Sequence, residues 1–366
     1  MNPGQFELRA FIDEVFAPEP EERVLILVDE PTGRTPMNPD WEARYALAED
    51  WHTAFTELGE ERGFEVLPIL RHAAAAGHHA PFPESGRLDG RDVGIDDLLD
   101  QVSLAIGMHE VSMTSGLAMA SLRRPGATQF RAASAPLLRK DMEDACLAID
   151  YEALRERCAR LQALVDNAVA AEVAFTTGDR CRFDLRHRGA GVDNGYLRRD
   201  KAGMPLINLP SGEVWITPYE GEIPGDEPRT EGTIPVAAED GSVALFRVEA
   251  NRVVAVEGES PAKEFYRRLF DVDPMRGNVG EIAFGCNPGA RVSGLYIEDE
   301  KAGFHWGFGR SDFLGGTVGP AHFIDESTVL HIDNPYARDC PITVSADLID
   351  AGGGRTPVLR TGSYVA

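Results

Sequence analysis

The hydrophobic pattern of this chain changes period near residue 170, so its two halves must build different kinds of sheet. Before that point, apolar runs alternate with helical patterns. Val24 to Val28 is an unbroken apolar run that ends at Asp29, as a strand buried on both faces does. Over 39–62, Trp41, Tyr45, Ala46, Trp51, Phe55 and Leu58 recur at steps of three and four residues, which marks one face of a helix. Further strands are expected from Phe64 to Leu70 and from Val102 to Met108, and a helix over 151–169 with Leu154, Cys158, Leu161, Leu164 and Val165 on one side. This alternation predicts a parallel sheet covered by helices. After residue 170 come short alternating segments at 172–175, 181–185, 242–246 and 253–256, separated by Gly and Pro turns. That is the signature of antiparallel structure. One helix is expected over 261–271, with Ser260 as its N-cap. The expected fold class is an α/β N-terminal domain with a parallel sheet over 1–168, followed by a β-rich α+β C-terminal metal-binding domain over 169–366. A chain of 366 residues is of a length that suits two domains.

Composition removes several functions. A net charge of −24 repels phosphate backbones and anionic membrane surfaces, so neither nucleic acid nor membrane is an expected partner. No apolar run approaches the ~20 residues of a membrane span. The first residues lack the basic and apolar regions of a signal peptide, and a cytoplasmic location is expected. The five cysteines are scattered, with no C-x-x-C pair, which suits reduced structural thiols. Neither G-x-G-x-x-G nor a P-loop signature is present. The polar segment Ser112 to Gly116 reads as a loop, as does the pair His78 and His79, placed on the surface.

The chemistry concentrates in the C-terminal half. His331-Ile332-Asp333 is a His-x-Asp step, and in a strand its two side chains share a face. Imidazole and carboxylate together suit zinc, cobalt, manganese or iron. His305 lies in the apolar, glycine-rich stretch FHWGFG, where a buried imidazole needs a partner; a backbone-bonded core histidine is the plain alternative. Glu213 and Glu281 each follow a glycine and open an apolar stretch, an uncommon place for an unpaired glutamate. Together the five residues suit a two-metal site with a bridging carboxylate. The acidic run Glu298, Asp299 and Glu300 reads as a solvated face, and His322 as structural. Tyr219 and Arg291 lie close to the glutamate motifs.

These stretches carry a resemblance. NLPSGEV around Glu213, GEIAFGCNPGA around Glu281, FHWGFG around His305, the step at His331 and the ending DCPITVSADLIDAGGGRTPVLRTG resemble the aminopeptidase T, AmpS and PepS type of metallo-aminopeptidase, especially its leucyl aminopeptidase branch. The likeness covers roughly 170–366, with a weaker match around SMTSGLAMASLRRPGATQF. It implies a homodimer and a pair of divalent metals held by the residues matching Glu213, Glu281, His305, His331 and Asp333. One departure stands out: the family's catalytic tyrosine has no counterpart, and the nearest position holds Asp312.

The first expectation is therefore a hydrolase of peptide or amide bonds, taking a small-molecule or peptide substrate. It would use one or two divalent ions (zinc, cobalt or manganese), with Glu213 and Glu281 as catalytic carboxylates. The second comes from the same superfamily. HIDNPYARDC resembles the corresponding segment of 2,5-dihydroxypyridine dioxygenases, and His305, His331 and Asp333 would make a facial triad for iron(II). A metal-binding protein without catalysis is the third.

Overall fold

The computed structural model describes residues 5–124, 130–201, 204–238 and 240–365. The chain divides into two compact units. One is Met1–Arg155, Asp193–Gly212 and Asn287–Ala290; the other is Glu156–Val192, Glu213–Cys286 and Arg291–Ala366. The single boundary drawn in the sequence at 168/169 has no counterpart for the two excursions of the first unit.

The first unit is built on a mixed sheet with the parallel core expected from the β-α alternation. Its parallel strands lie in the order Leu206–Asn208, Arg131–Ser134, Leu104–Met108, Arg23–Glu30 and Leu70–Ala73, followed by the antiparallel hairpin Ser85–Leu88 and Arg91–Gly94. The strand expected from Phe64 to Leu70 is broken into Glu65–Val66 and Leu70–Ala73, each paired to Arg23–Glu30. Pro68 lies between them and has no N–H to donate to the ladder. Pro39–Arg62 is the long helix. Asn38 caps it by accepting from Asp40 N and Trp41 N, and Gly63 ends it in the left-handed region. Ser112 to Gly116 is not a loop: the helix Thr114–Leu122 begins inside it. The Thr114 hydroxyl is buried against the Ser134 hydroxyl at 2.7 Å, and this tertiary contact overrides the local composition. His78 and His79 do lie in a loop, but His79 is buried and His78 Nδ1 accepts from Ser112 N.

The helix expected over 151–169 ends at Asp166. Asn167 donates to Ala163 O at 2.6 Å, satisfying a carbonyl at the helix end, and the strand Ala168–Phe175 starts at once. The second unit holds two sheets. The larger is antiparallel throughout, in the order Arg252–Glu257, Val243–Glu249, Glu231–Ala237, Arg180–Asp184, Ala168–Phe175, Val344–Asp350, Arg355–Arg360 and Ser363–Tyr364. The smaller has the order Gly191–Asp193, Glu213–Ile216, Val279–Gly285, Phe304–Gly309 and His331–Pro335. The expected fold class, parallel α/β followed by β-rich, is therefore the observed one. Among the described residues, no helix is long and apolar enough to cross a membrane.

Pro261–Val272 forms a helix as expected, and the Ser260 hydroxyl accepts from Lys263 N. Ser260→Ala should lower the unfolding free energy by about 1 kcal/mol, the usual worth of such a cap, as read from urea denaturation followed by circular dichroism.

Candidate metal centre

The register of the smaller sheet brings the sequence-selected residues together. Glu213–Ile216, Val279–Gly285, Phe304–Gly309 and His331–Pro335 run side by side, each antiparallel to the next. Side chains alternate between faces. In Phe304–Gly309 the three aromatic rings therefore take one face, and His305, Gly307 and Gly309 take the other. The aromatic face is core, with Trp306 and Phe308 packed edge-on to Phe246 at 5.9 and 6.1 Å between ring centroids. On the other face Glu281 stands across Gly307 from Asp333, and Ala283 stands between Trp215 and His305. Gly285 lies opposite Glu213, and Gly309 opposite His331. Charged and imidazole side chains are thus interleaved with glycine and alanine, and their tips converge over neighbours that carry little bulk. At Gly307 the space is fully used. A Cβ there would lie 2.6 Å from both Asp333 Oδ1 and His331 Nε2.

Glu281 is central. Its Oε2 is 3.1 Å from His331 Nε2, which is also 3.1 Å from Asp333 Oδ1. Its Oε1 is 3.8 Å from His305 Nε2, which is 3.6 Å from Glu213 Oε2. Two donor groups result, Glu281–His331–Asp333 and Glu213–Glu281–His305, each with its donor atoms within 4.8 Å of one another. The His331 Nδ1–H donates to Arg310 O at 2.6 Å, which turns Nε2 toward the carboxylates. Metal-binding imidazoles are commonly oriented in this way. His305 Nδ1 is buried and has no hydrogen-bond partner among the described residues. All of these residues are buried except Asp333, which is partly so.

Two further residues belong to the cluster and escaped the sequence reading. Lys301 is fully buried, and its Nζ lies 2.6 Å from Glu213 Oε1 and 2.5 Å from Glu300 Oε1. The acidic run expected to be solvated is instead buried. Glu298 accepts from Arg291 N and Nε, Asp299 accepts from Ser293 N and Gly294 N, and Glu300 holds Lys301. This segment lies directly on Gly285, where any Cβ would collide with the Glu300 carbonyl. The remaining sequence candidates are structural. The Tyr219 hydroxyl donates to Asp226 O and accepts from Ile223 N. His322 Nδ1 bonds the Gly319 backbone within its own turn. Asp312 is held by Arg310.

The electrostatics follow from packing carboxylates where water is excluded. Burial alone would lower the pKa of His305, but the hydrogen bond and charge of Glu281, then the charges of Glu213 and Asp333, raise it to about 9. Burial is likewise overcome at His331, which Asp333 and Glu281 raise well above its ordinary value. Burial opposes ionisation of Glu281, yet bonds from the two imidazoles hold it down to about 2. At Glu300 burial is the largest cause, and with the charges of Glu213 and Asp333 it overrides the pull of Lys301 and raises the pKa. Without a metal, the cluster thus recruits protons onto both imidazoles. A divalent cation supplies the same positive charge, and its donors must first shed those protons. Both histidines and Glu300 have folded-state pKa values above their unfolded ones, so each binds more protons when folded, and the stability each contributes is lost as pH rises through its folded value. For His305 the contribution is complete below about 6.5 and lost as pH climbs through about 9. Chelator-treated protein should therefore melt at progressively lower temperature between those values. A flat profile in differential scanning calorimetry would contradict this.

No protein-family model matches the chain, and no curated protein matches it in sequence. Solved structures do share its fold. A 2,5-dihydroxypyridine dioxygenase from Pseudomonas putida superposes with a TM-score of 0.65 at 15% identity, covering 98% of this chain and 97% of that one. Wild-type AmpT from Thermus thermophilus superposes with a TM-score of 0.57 at 17% identity, covering 98% of each chain. At these identities the likeness is one of fold.

Proposed function

We propose that the chain is a metal-dependent enzyme that hydrolyses a peptide or amide bond, with its divalent cation held by Glu281, His305, His331 and Asp333 and with Glu213 beside it. The observation that carries this reading is the position of Glu281, whose two oxygens face the two imidazoles from the middle of a buried, carboxylate-rich cluster. The donor set, two imidazoles and two carboxylates with a third carboxylate alongside, is the mixed nitrogen and oxygen set that zinc, cobalt and manganese accept. Such an ion supplies Lewis acidity, which acidifies water and polarises a carbonyl. The protein's own part is orientation and proton handling. Arg310 O fixes the His331 ring, and Gly307 keeps the space between donors clear. Glu213 is the proposed proton acceptor, because it lies at the edge of the cluster while Glu281 occupies its centre. The resemblance of the motifs around Glu213, Glu281, His305 and His331 to metallo-aminopeptidases of the aminopeptidase T type, together with the fold shared with AmpT, supports this reading.

One observation favours a second reading. His305, His331 and one carboxylate make the two-histidine, one-carboxylate set of non-haem iron oxygenases. Tyr336, the first tyrosine after His305 in the sequence, does not serve as a substitute for the missing catalytic tyrosine. It is buried, its hydroxyl donates to Pro235 O, and it accepts from Trp306 Nε1. One structure that shares the fold is a 2,5-dihydroxypyridine dioxygenase.

Gly307→Ala is the decisive variant, since it removes no donor atom yet places a methyl among them. Elemental mass spectrometry of gently purified protein should find zinc, cobalt or manganese in the wild type and a loss of at least about tenfold in metal affinity in Gly307→Ala. Turnover of a panel of aminoacyl amides and peptides should be lost with the metal. Iron in the wild type, with oxygen consumed on a dihydroxylated aromatic substrate, would replace hydrolysis by the oxygenase. A wild type that takes up no metal under any reconstitution would overturn both.

A further inference from the structure

We propose that the Lys301 ammonium holds the position of a second cation, so that the centre takes one divalent metal per chain; this rests on the reading of the cluster as a metal site. The two donor groups share Glu281, a geometry that on its own invites one ion in each. They are not equivalent. In the group of Glu281, His331 and Asp333, the contacts are between carboxylates and an imidazole, and an imidazole becomes a donor on losing its proton. In the other group, Glu213 Oε1 meets an amine nitrogen at 2.6 Å, and an ammonium is a cation that competes with a metal for that carboxylate.

Lys301 is built into this place. It is fully buried and belongs to a short helical turn, Glu300–Ala302, that packs on Gly285, the residue directly across from Glu213 in the sheet. Glu300 on the same turn holds the ammonium from its other side at 2.5 Å. Swinging the side chain away would strand two buried carboxylates. The charges point the same way. One divalent ion and one ammonium neutralise the three carboxylates Glu213, Glu281 and Asp333. With the ammonium kept in place, a second divalent ion would leave surplus positive charge in a dry site whether or not Glu300 is ionised, and unbalanced buried charge is strongly disfavoured.

The assignment separates roles within the cluster. The metal belongs with Glu281, His331, Asp333 and the inward nitrogen of His305. Glu213 belongs to Lys301 and acts on substrate or water as an ammonium-paired carboxylate rather than as a ligand. Lys301 in turn is a positioning residue for Glu213.

The test is metal stoichiometry after saturation with cobalt, manganese or zinc and desalting, measured on the full chain. Wild type should retain one equivalent, and Lys301→Met, which keeps the bulk and removes the charge, should retain two. Lys301→Arg should remain at one. Glu213→Gln should keep its single equivalent, whereas Glu281→Gln should lose it. Two equivalents in the wild type, or one in a folded Lys301→Met, would overturn the inference while leaving the metal-dependent reading intact. If Lys301→Met does not fold by circular dichroism, Glu213→Gln decides: a retained equivalent supports the inference, and a lost one refutes it. Absence of any metal from the wild type removes the functional reading and this inference together.

Discussion

Negative charge packed where water cannot reach it is the constraint on which the second unit turns. Glu213, Glu281 and Glu300 are buried and Asp333 nearly so, and Lys301 forms ion pairs with Glu213 and Glu300. Carboxylates do not accumulate in a protein interior without compensation. Here two imidazoles carry protons that their burial would otherwise remove. Strain of this kind, stored in a group of residues that could be replaced by apolar ones, is expected where the group has work to do. A divalent cation would relieve it by substituting for the protons.

The fold around the cluster is an answer to geometry. Donor atoms have to meet from four strands while the opposite faces of those strands fill a core. Alternation solves both demands at once. Phe304, Trp306 and Phe308 pack inward, Phe304 against Phe183 and Phe284 and the other two against Phe246, and every second position faces the cluster. The glycines and alanine between the donors are as much a part of the arrangement as the donors themselves, because a methyl group at Gly307 or Gly285 has nowhere to go.

Much of this was legible in the sequence, and the reasons it was legible are physical. The His-x-Asp step has strand period, and FHWGFG alternates rings with small residues, so both announce a face. The change of pattern near residue 170 likewise separates parallel from antiparallel structure. What escaped depended on contacts distant in sequence. Lys301 and its acidic neighbours look like a solvated run because nothing local says that Gly285 will receive them. Pro68 breaks a strand that hydropathy alone draws as continuous. Residues 193–212 and 287–290 join the first unit from the middle of a half that reads as uniformly β-rich, and no linear pattern marks that excursion.

The alternation of Phe304–Gly309 also restricts how this segment can change over evolutionary time. A shift by one residue exchanges the two faces of a strand. It would turn His305 and Gly307 into the aromatic layer and drive Trp306 and Phe308 into the cluster. Single insertions or deletions in the strand are therefore doubly penalised, by loss of the core and by loss of the donors. Length changes that survive here should come in pairs or be confined to the loops at either end. Lineages of this chain would then vary in loop length while holding the parity of the strand fixed.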